Sequence, residues 1–281
     1  MGPLVSVVVP VFNGMPHLPA LTESLLAQDY PDLEIVFSEG GSTDASPEFL
    51  ASLDDPRVRI VTQPPGTTAG GNWTASCQAA SGELIKLACQ DDLLKPGALT
   101  RQARLLLDHP TATMAVAQRD IVDAHGHVLY RGLGCGGLPS GKVPGSVAIR
   151  ACYVQGTNVL GEPVAVLFRR DPLLASMPWD DTNPLVLDLT MYERVAALGD
   201  VVVDRTSIAA FRVSGSSWST RLAKVQIEQF RRWQHDYAAS LPGGPARWEH
   251  ARASAGRHWH ALRRRSAYRW LALKGSFGSE G

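Results

Sequence analysis

The sequence lacks several features that define common classes of protein. It contains no apolar run near the roughly 20 residues that a membrane-spanning helix needs. Its first residues have neither the charged start nor the apolar stretch of a secretory signal, and its four cysteines have neither disulfide density nor zinc-ligand spacing. It also has no P-loop and no GxGxxG motif. These absences predict a cytoplasmic protein with free thiols and no classical dinucleotide site.

Charge is balanced over the whole chain but not along it. The 281 residues carry 27 basic and 27 acidic side chains, and 44% of them are hydrophobic. This balance argues against a surface that binds nucleic acid throughout, and the hydrophobic content argues against disorder. Residues 1–220 hold 15 basic and 23 acidic side chains, whereas residues 221–281 hold 12 and 4. We therefore expect a boundary near residue 220, followed by a basic segment.

The first third of the chain alternates strand and helix patterns, which is typical of an α/β sheet with mostly parallel strands. The predicted strands are Leu4–Val9, Leu33–Ser38, Val58–Thr62 and Leu84–Ala88. Polar clusters follow three of them: Phe12-Asn13, Glu39 to Asp44, and Asp91-Asp92. Because ligands of open α/β sheets bind outside the carboxyl ends of the strands, we expect these clusters to share one crevice.

Asp91 and Asp92 form the sharpest single feature. Two adjacent carboxylates that leave a buried strand repel each other, and a hard cation such as Mg²⁺ or Mn²⁺ would relieve that repulsion. An arbitrary Asp-Asp pair is more often a surface turn or the N-cap of the next helix. The position at a strand end favours a metal site here.

Four motifs in order resemble family 2 glycosyltransferases of the GT-A fold. They are similar to the family's PxYN, DGGSTD, AxGExI and DxDD…P elements, and they occupy Val8–Asn13, Ser38–Asp44, Gly82–Lys86 and Gln90–Pro96. A weaker likeness continues through Gly161–Pro163, Leu167–Arg170, Asp188–Arg194 and Phe211–Val213. The resemblance implies a GT-A-like (Rossmann-like) α/β fold, in which helices flank a mixed, mostly parallel sheet and a helical extension follows.

The resemblance also implies a division of the chain. Residues 1–115 would be the nucleotide-sugar-binding half of one domain. Residues 116–220 would be its acceptor-binding half and would supply the catalytic base. Residues 221–281 would form a basic amphipathic helical tail.

Five residues match the positions that recognise the donor nucleotide in the family. Pro10, Val11 and Phe12 would line the nucleobase pocket. Glu39 stands where the family often uses Asp to contact the base ring. Asn72 matches an Asn that lies near the donor.

Three neighbouring residues match the family's metal motif and the positions beside it. Asp91 matches the last Asp of the family's DxD, which would hold Mn²⁺ or Mg²⁺ on the donor diphosphate. Gln90 and Asp92 would touch the ribose or the donor sugar. A cation at Asp91 would stabilise the negative charge that develops on the leaving diphosphate.

An inverting transfer needs a carboxylate on the opposite side, because the acceptor hydroxyl must lose its proton. Asp188 is the candidate, since Asp188–Arg194 resembles the stretch in which the family places its general base. The structural alternative for Asp188 is a helix N-cap, and Asp180 and Asp181 are nearby substitutes.

Four residues depart from the family's pattern. Cys89 replaces the first Asp of DxD, Gly40 replaces an Asp of the second turn, and Gly71 replaces an Arg. Ser214 stands where relatives often have His near the metal. These departures predict weaker metal dependence or an altered donor preference.

The predicted function is that of an inverting hexosyl- or deoxyhexosyl-transferase. It would use a UDP- or dTDP-sugar donor and a carbohydrate or lipid-linked acceptor, in the assembly of cell-surface polysaccharide or glycoconjugates. The main alternative is a non-catalytic module that binds sugar nucleotides or glycans. A nicotinamide oxidoreductase fits poorly, because no phosphate loop follows the first strand.

The basic tail carries an apolar stripe at helical spacing. Its members are Trp248, Ala255, Trp259, Leu262, Trp270 and Leu273, with arginines at the margins and beyond. Such a helix either rests on anionic lipid at the inner face of the membrane, or packs on the catalytic domain or a second subunit of a homodimer. A nucleic-acid role is disfavoured, because the segment has no recognition motif.

Overall fold

The computed structural model describes residues 2–215 and 218–273. Within these ranges ten strands form one sheet: β1 (Val5–Val11), β2 (Leu33–Glu39), β3 (Val58–Thr62), β4 (Leu84–Leu87), β5 (Leu93–Leu94), β6 (Ala112–Val122), β7 (Val128–Leu133), β8 (Gly141–Pro144), β9 (Val166–Arg169) and β10 (Asp200–Arg212). The α-helices are α1 (Leu18–Leu26), α2 (Ser46–Ala51), α3 (Ala69–Gln78), α4 (Ala98–Asp108), α5 (Gly145–Gln155), α6 (Arg170–Ala175), α7 (Leu187–Ala196), α8 (Trp218–Arg221), α9 (Gln226–Ser240) and α10 (Arg247–Leu273). Short 3₁₀ helices lie at Pro163–Ala165, Pro184–Val186 and Leu222–Lys224.

The strands follow the order β3-β2-β1-β4-β9-β6-β10-β5, with β7 beside β6 and β8 beside β10. β3, β2, β1 and β4 are parallel, β9 runs against both of its neighbours, and β6 and β10 are parallel to each other. The mixed, mostly parallel α/β sheet predicted from the sequence is therefore confirmed. Helices cover both faces, so the strands at its centre are buried on both sides.

The first strand is longer than its sequence predicts. β1 continues through Pro10 to Val11, which pairs with Glu39 of β2. Val8 accepts a hydrogen bond from Ala88 beyond the end of β4, so alternate residues of β1 face that strand. Pro10 faces the same way, past the last residue of β4, where its missing N–H breaks no ladder bond. The proline that predicts an end to the strand is thus tolerated inside it.

The basic tail shares the core of the rest of the protein. Phe230, Trp233 and Tyr237 of α9 and Ala253 of α10 are buried in the same hydrophobic cluster as residues of α5 and α7. Gln234 donates hydrogen bonds to backbone carbonyls of α5 and α10, which joins the three helices. The predicted boundary near residue 220 stays a prediction, but the helices beyond it pack against those before it.

Two glycines set how α10 meets α5. Gly156 ends α5 with a φ of +66°, a left-handed conformation that favours glycine. A Cβ at Gly256 of α10 would lie 2.3 Å from the carbonyl oxygen of Gln155, so only glycine allows this approach. The two helices therefore cross with their backbones in contact, and the small-residue side of α10 faces the domain.

The apolar stripe of the tail points away from that contact. Trp248, Trp259, Leu262 and Trp270 are 62%, 61%, 60% and 49% exposed. The expectation that this stripe packs on the catalytic domain is wrong for these four residues, because glycines rather than tryptophans fit the backbone approach of α5. Ala255 is also exposed, and the side chain of Leu273 lies outside the described residues.

Within residues 2–215 and 218–273, no helix is long and apolar enough to cross a bilayer.

Candidate active site

The polar clusters at the strand ends are in direct contact. The backbone N–H of Asn13 donates to the Ser42 hydroxyl at 2.9 Å, and the Asn13 side chain accepts from the N–H of Thr43 at 2.8 Å. The N–H of Phe12 donates to Oε1 of Gln90 at 2.8 Å. The loops after β1, β2 and β4 thus meet at one edge of the sheet, as the parallel topology predicts.

Both the oxygen and the nitrogen of the Gln90 side-chain amide form hydrogen bonds in this contact between loops. While Oε1 accepts from Phe12, Nε2 donates to the carbonyl of Phe12 at 2.9 Å and to that of Asn13 at 3.3 Å. The side chain therefore ties the metal-motif loop to the loop after β1. Its predicted contact with ribose or donor sugar stays a prediction.

Glu39 lies at the end of β2 and holds the turn that follows. Its carboxylate accepts from the N–H of Gly41 at 3.0 Å and of Ser42 at 2.6 Å. Burial raises the pKa of Glu39, but these hydrogen bonds outweigh burial and hold it below its usual value. Glu39 is therefore an ionised acceptor in the turn where the sequence predicts base recognition.

Asn72 on α3 bridges the ends of two strands. Its Nδ2 donates to the carbonyls of Val11 and Ser38, both at 3.2 Å, and Oδ1 accepts from the Ser38 hydroxyl at 2.6 Å. A Cβ at Gly40 would lie 2.8 Å from that Nδ2. A side chain at position 40, where the family often has Asp, would therefore be too close to Asn72 in this position.

A cavity of about 570 Å³ opens beside the metal-motif loop. Asp91 and Asp188, the two residues predicted to carry the chemistry, both line it. Other polar or aromatic lining residues are Trp73, Cys89, Arg119, Tyr130, Gln155, Thr157, Asn158, Glu162, Phe211, Gln226, Phe230, His260, Arg263, Arg264 and Tyr268. The other predicted donor contacts are not in its lining: Pro10, Val11, Phe12, Glu39, Asn72, Gln90 and Asp92. Of the strand-one residues, Pro10 and Val11 are buried and Phe12 is exposed at the sheet edge.

Asp91 and Asp92 point in different directions. Asp92 is fully buried, and its Oδ1 accepts from the N–H of Arg212 at 3.3 Å. Arg212 also donates from Nε to the carbonyl of Asp91 at 2.9 Å, which fixes the loop. Burial raises the pKa of Asp91, and the charge of Arg212 opposes that shift. Only Asp91 is thus presented to the cavity, whereas Asp92 would reach a ribose or donor sugar only after rearrangement.

Asp188 lies in the first turn of α7 and is held from two sides. Its Oδ2 accepts from Nδ2 of Asn158 at 2.8 Å, and its Oδ1 accepts from the N–H of Leu189 at 2.7 Å. Burial and the charge of Glu162 raise the pKa of Asp188 to about 7, although both hydrogen bonds and Arg119 oppose the rise. A carboxylate with such a pKa is suited to accept a proton near neutral pH. Asp188 is not the N-cap, since Val186 occupies that position.

The two substitutes for Asp188 have structural partners elsewhere. Asp181 accepts from the N–H of Gly70 at 3.0 Å, and Asp180 lies 3.6 Å from a guanidinium nitrogen of Arg194. Neither carboxylate lines the cavity.

Two features of the cavity lining were not predicted from the sequence motifs. Glu162 and Arg119 form a two-pronged ion pair inside the cavity, with Nη2 of Arg119 donating to Oε1 of Glu162 at 2.8 Å. Glu162 stands in the Gly161–Pro163 segment, which matched the family without a role, and no sequence signal singles out Arg119. Trp73 also lines the cavity, and its ring meets Trp179 edge-to-face at 5.1 Å.

The described residues around the metal motif supply only part of the ligands that a metal ion needs. Among the described residues no group of three or more His, Cys, Asp or Glu side chains is placed to hold a metal ion. Burial and the charge of Asp92 raise the pKa of the Cys89 thiol well above its usual value, and a hard cation prefers carboxylate oxygen to sulfur as a ligand. Asp91 remains as one cavity-facing carboxylate, which is enough for Mg²⁺ or Mn²⁺ when phosphate oxygens and water fill the other positions.

Comparison with known proteins identifies the family. Residues 6–161, more than half of the chain, match the model of Glycosyl transferase family 2. The succinoglycan biosynthesis protein ExoO of Rhizobium meliloti is 33% identical over 127 residues, which are 45% of this chain and 36% of that protein. The chain thus spans about a third of the length of that relative.

Solved structures share the fold. S. aureus TarS 1–349 in complex with UDP-GlcNAc aligns with 88% of this chain and 69% of its own, with a TM-score of 0.66 and 16% identity. The mannosyltransferase PcManGT of Pyrobaculum calidifontis, in complex with GDP-Man and Mn²⁺, aligns with 97% of this chain and 81% of its own, with a TM-score of 0.61 and 15% identity. The predicted GT-A fold is thereby confirmed.

Proposed function

Because the chain belongs to glycosyl transferase family 2, we propose that it transfers a sugar, with inversion, from a nucleoside-diphosphate donor to an acceptor hydroxyl. The observation that supports this proposal is that Asp91 and Asp188 both line one cavity of about 570 Å³. The first carboxylate would serve the leaving group and the second would serve the attacking hydroxyl.

Asp188 would act as the general base. As the acceptor oxygen attacks the anomeric carbon, its proton passes to the Asp188 carboxylate, and the bond from that carbon to the phosphate oxygen breaks on the opposite side. The electron pair of that bond leaves with the nucleoside diphosphate. Asn158 and the N–H of Leu189 hold the carboxylate in place for this transfer.

Asp91 would hold the divalent cation, Mn²⁺ or Mg²⁺, against the donor diphosphate. When bound, the cation offsets the negative charge that grows on the diphosphate. Arg212 keeps Asp91 in place through its bond to the Asp91 carbonyl, without facing the cavity itself. Cys89 and Ser214 supply no further carboxylate or imidazole, so the cation would depend on Asp91 among the residues that match the family's metal positions.

Recognition of the donor base is assigned to the sheet edge beside the cavity. Phe12 offers an exposed ring there, and Glu39 keeps an ionised carboxylate with lone pairs beyond its two hydrogen bonds. We propose a UDP- or dTDP-linked hexose or deoxyhexose as donor. The likeness to ExoO, a succinoglycan biosynthesis protein, supports a place in polysaccharide or glycoconjugate assembly.

A donor screen tests the reaction. The protein is incubated with Mn²⁺ and a panel of UDP-, dTDP- and GDP-sugars, release of nucleoside diphosphate is followed, and NMR gives the anomeric configuration of the sugar product. Release from a UDP- or dTDP-sugar with inverted configuration is expected. Retained configuration, or release from GDP-sugars alone, contradicts the proposal.

A non-catalytic module that binds sugar nucleotides is the second candidate. Cys89 favours it, because a thiol stands where the family's metal motif has a carboxylate. Donor binding without release of nucleoside diphosphate across a panel of acceptors would support this candidate over the transferase.

The pH dependence of turnover follows from Asp188. A general base must be ionised, and Asp188 has a pKa of about 7. Turnover is therefore expected to fall by about tenfold per pH unit below pH 6 and to level off above pH 8. Rates measured from pH 5 to 9 at saturating donor test this, and a flat profile below pH 7 would exclude Asp188 as the base.

For the tail, we propose contact with an anionic membrane surface. The exposed face of α10 combines Trp248, Trp259 and Trp270 with Arg252 and Arg269. Glu249, the sole acid in residues 247–273, is buried and paired with Arg150. The exposed face therefore carries positive charge and large aromatic rings, the composition of helices that lie on anionic bilayers.

Sedimentation with vesicles tests this contact. We expect binding to phosphatidylcholine vesicles that contain phosphatidylglycerol, and little binding without it. Arg252→Gln/Arg269→Gln is expected to lose about 2 kcal/mol of binding, more than tenfold, at roughly 1 kcal/mol per arginine. Arg104→Gln/Arg131→Gln, which removes two exposed arginines elsewhere, is the control. A stable homodimer in light scattering, with no vesicle binding, would assign the face to a second subunit instead.

A further inference from the structure

The C-terminal helix is also a wall of the active-site cavity. His260, Arg263, Arg264, Tyr268 and Leu271 of α10 line the same cavity as Asp91 and Asp188. Leu271 is buried and His260, Arg264 and Tyr268 are partly buried, whereas Arg263 is exposed and lies between this wall and the side of α10 that carries the exposed tryptophans. A helix outside the segment that matches the family therefore contributes to this protein's site.

Arg264 is the best-fixed cation of this wall. Its Nε donates to Oε1 of Gln226 at 2.7 Å, and Gln226 is itself buried and donates to the carbonyl of Ala261 at 3.3 Å. Burial and the charge of Arg263 lower the pKa of Arg264 from its usual value, so the fold maintains this cation against a desolvation cost. His260 adds no charge at neutral pH, because burial and the same arginines lower its pKa to about 4.

The two carboxylates whose charges act on Arg264, those of Glu162 and Asp188, already have other partners. Glu162 is bound by both prongs of Arg119, and Asp188 accepts from Asn158 and Leu189. Among the described residues no carboxylate oxygen lies within 4 Å of the Arg264 guanidinium. The terminal nitrogens of Arg264 are therefore available to an anionic group of a ligand.

The position of Arg264 places that group on the acceptor side. Its charge acts on Asp188 and Glu162, whereas Arg212 is the cation that acts on Asp91. Apolar side chains of Leu185, Phe230 and Leu271 share this part of the lining. An anion bound here would lie next to the general base rather than next to the metal.

We propose that Arg264, with Arg263 at its side, binds a phosphate ester of the acceptor. A pair of guanidinium groups matches the double charge and the several oxygens of a phosphate better than a single carboxylate. The inference rests on the proposed transferase function for the word acceptor, but the anion site itself does not depend on catalysis. The phosphate belongs either to a lipid-linked carrier or to a phosphorylated saccharide.

Calorimetry with two soluble probes tests the site. Glycerol 3-phosphate and octyl phosphate are titrated into the wild type, Arg264→Gln, Arg264→Lys and the exposed control Arg104→Gln. Both probes are expected to bind the wild type and Arg104→Gln alike, and Arg264→Gln is expected to weaken binding by about tenfold or more. Arg264→Lys should be intermediate, because it keeps the charge and loses the planar fork.

The outcomes separate this site from the proposed function. UDP with Mn²⁺ is titrated into the same variants, and its affinity is expected not to change. Weaker UDP binding in Arg264→Gln, with glycerol 3-phosphate unaffected, would move Arg264 to the donor side and overturn the proposal, as would absence of phosphate binding by the wild type. Failure of UDP to bind any variant, with phosphate binding intact, would count against the transferase and leave the anion site supported. Tighter binding of octyl phosphate supports a lipid-linked source, and equal binding supports a saccharide.

Discussion

Replacement of Asp188 by Asn is expected to lower turnover by about 10²- to 10⁴-fold, which is the usual contribution of a general base. Asn keeps the size of the side chain and can still accept from Asn158 or Leu189, but it cannot take the proton of the acceptor hydroxyl. The acidic limb of the pH profile should disappear with the carboxylate. Rates at saturating donor and acceptor, measured from pH 5 to 9, give both results.

The control for this variant is Asp171→Asn. Asp171 is a nearly fully exposed carboxylate at the start of α6, and it does not line the cavity. The Asp171→Asn variant should have the same turnover and the same pH profile as the wild type. Turnover of Asp188→Asn within a few-fold of the wild type, with the acidic limb preserved, would place the base elsewhere.

Replacement of Asp91 by Asn is expected to weaken metal-supported binding of the donor diphosphate by about 100-fold, because the cation loses the one cavity-facing carboxylate of the metal motif, and even groups that only orient a metal ligand contribute about 10- to 100-fold to metal affinity. The effect should vanish when the metal is removed. In the presence of EDTA, the wild type and Asp91→Asn should bind the nucleoside diphosphate equally weakly. Calorimetric titration of both proteins with and without Mn²⁺ completes this thermodynamic cycle.

Asp54→Asn is the matched control in the same half of the chain. Asp54 is exposed and lies outside the cavity lining. If Asp91→Asn loses as much affinity in EDTA as in Mn²⁺, Asp91 acts on the donor directly or through the fold. The metal assignment would then be wrong.

The first four strands and the place of Asp91 after the fourth could be predicted from the sequence, whereas Asp188 was predicted from the resemblance to the family. The strands and Asp91 depend on short local patterns: β-branched runs closed by turn residues, and acidic residues that follow them. Such patterns survive in a single sequence because strand ends and helix starts have local chemical requirements. The convergence of the loops after β1, β2 and β4 followed from parallel topology alone.

The direction of each side chain could not be predicted in the same way. Gln90 and Asn72 match donor-site positions, yet the Gln90 amide bonds to the backbone of the loop after β1 and the Asn72 amide bonds to carbonyls at the ends of β1 and β2. Asp92 differs from Asp91 by one position in the chain, but the bond from the Arg212 N–H holds it in the interior. These outcomes depend on partners that are distant in sequence, which motif spacing does not encode.

The tail illustrates the same limit. Helical spacing identified the stripe of tryptophans, but not which side of α10 faces the domain. That choice depends on the backbone contact of Gly256 with Gln155, 101 positions earlier in the chain. The contact also brings Arg264 to the cavity, a role that the charge count of residues 221–281 does not reveal.

The central claim is that Asp91 and Asp188 serve opposite sides of one transfer reaction in one cavity. The most direct test is calorimetric titration of UDP, dTDP and GDP, with Mn²⁺, into the wild type and Asp188→Asn, beside turnover of both proteins. We predict that UDP or dTDP binds both proteins with the same affinity while turnover of the variant falls by about 10²-fold or more. Absence of binding by any of the three nucleotides, or loss of affinity in Asp188→Asn in proportion to turnover, would contradict it.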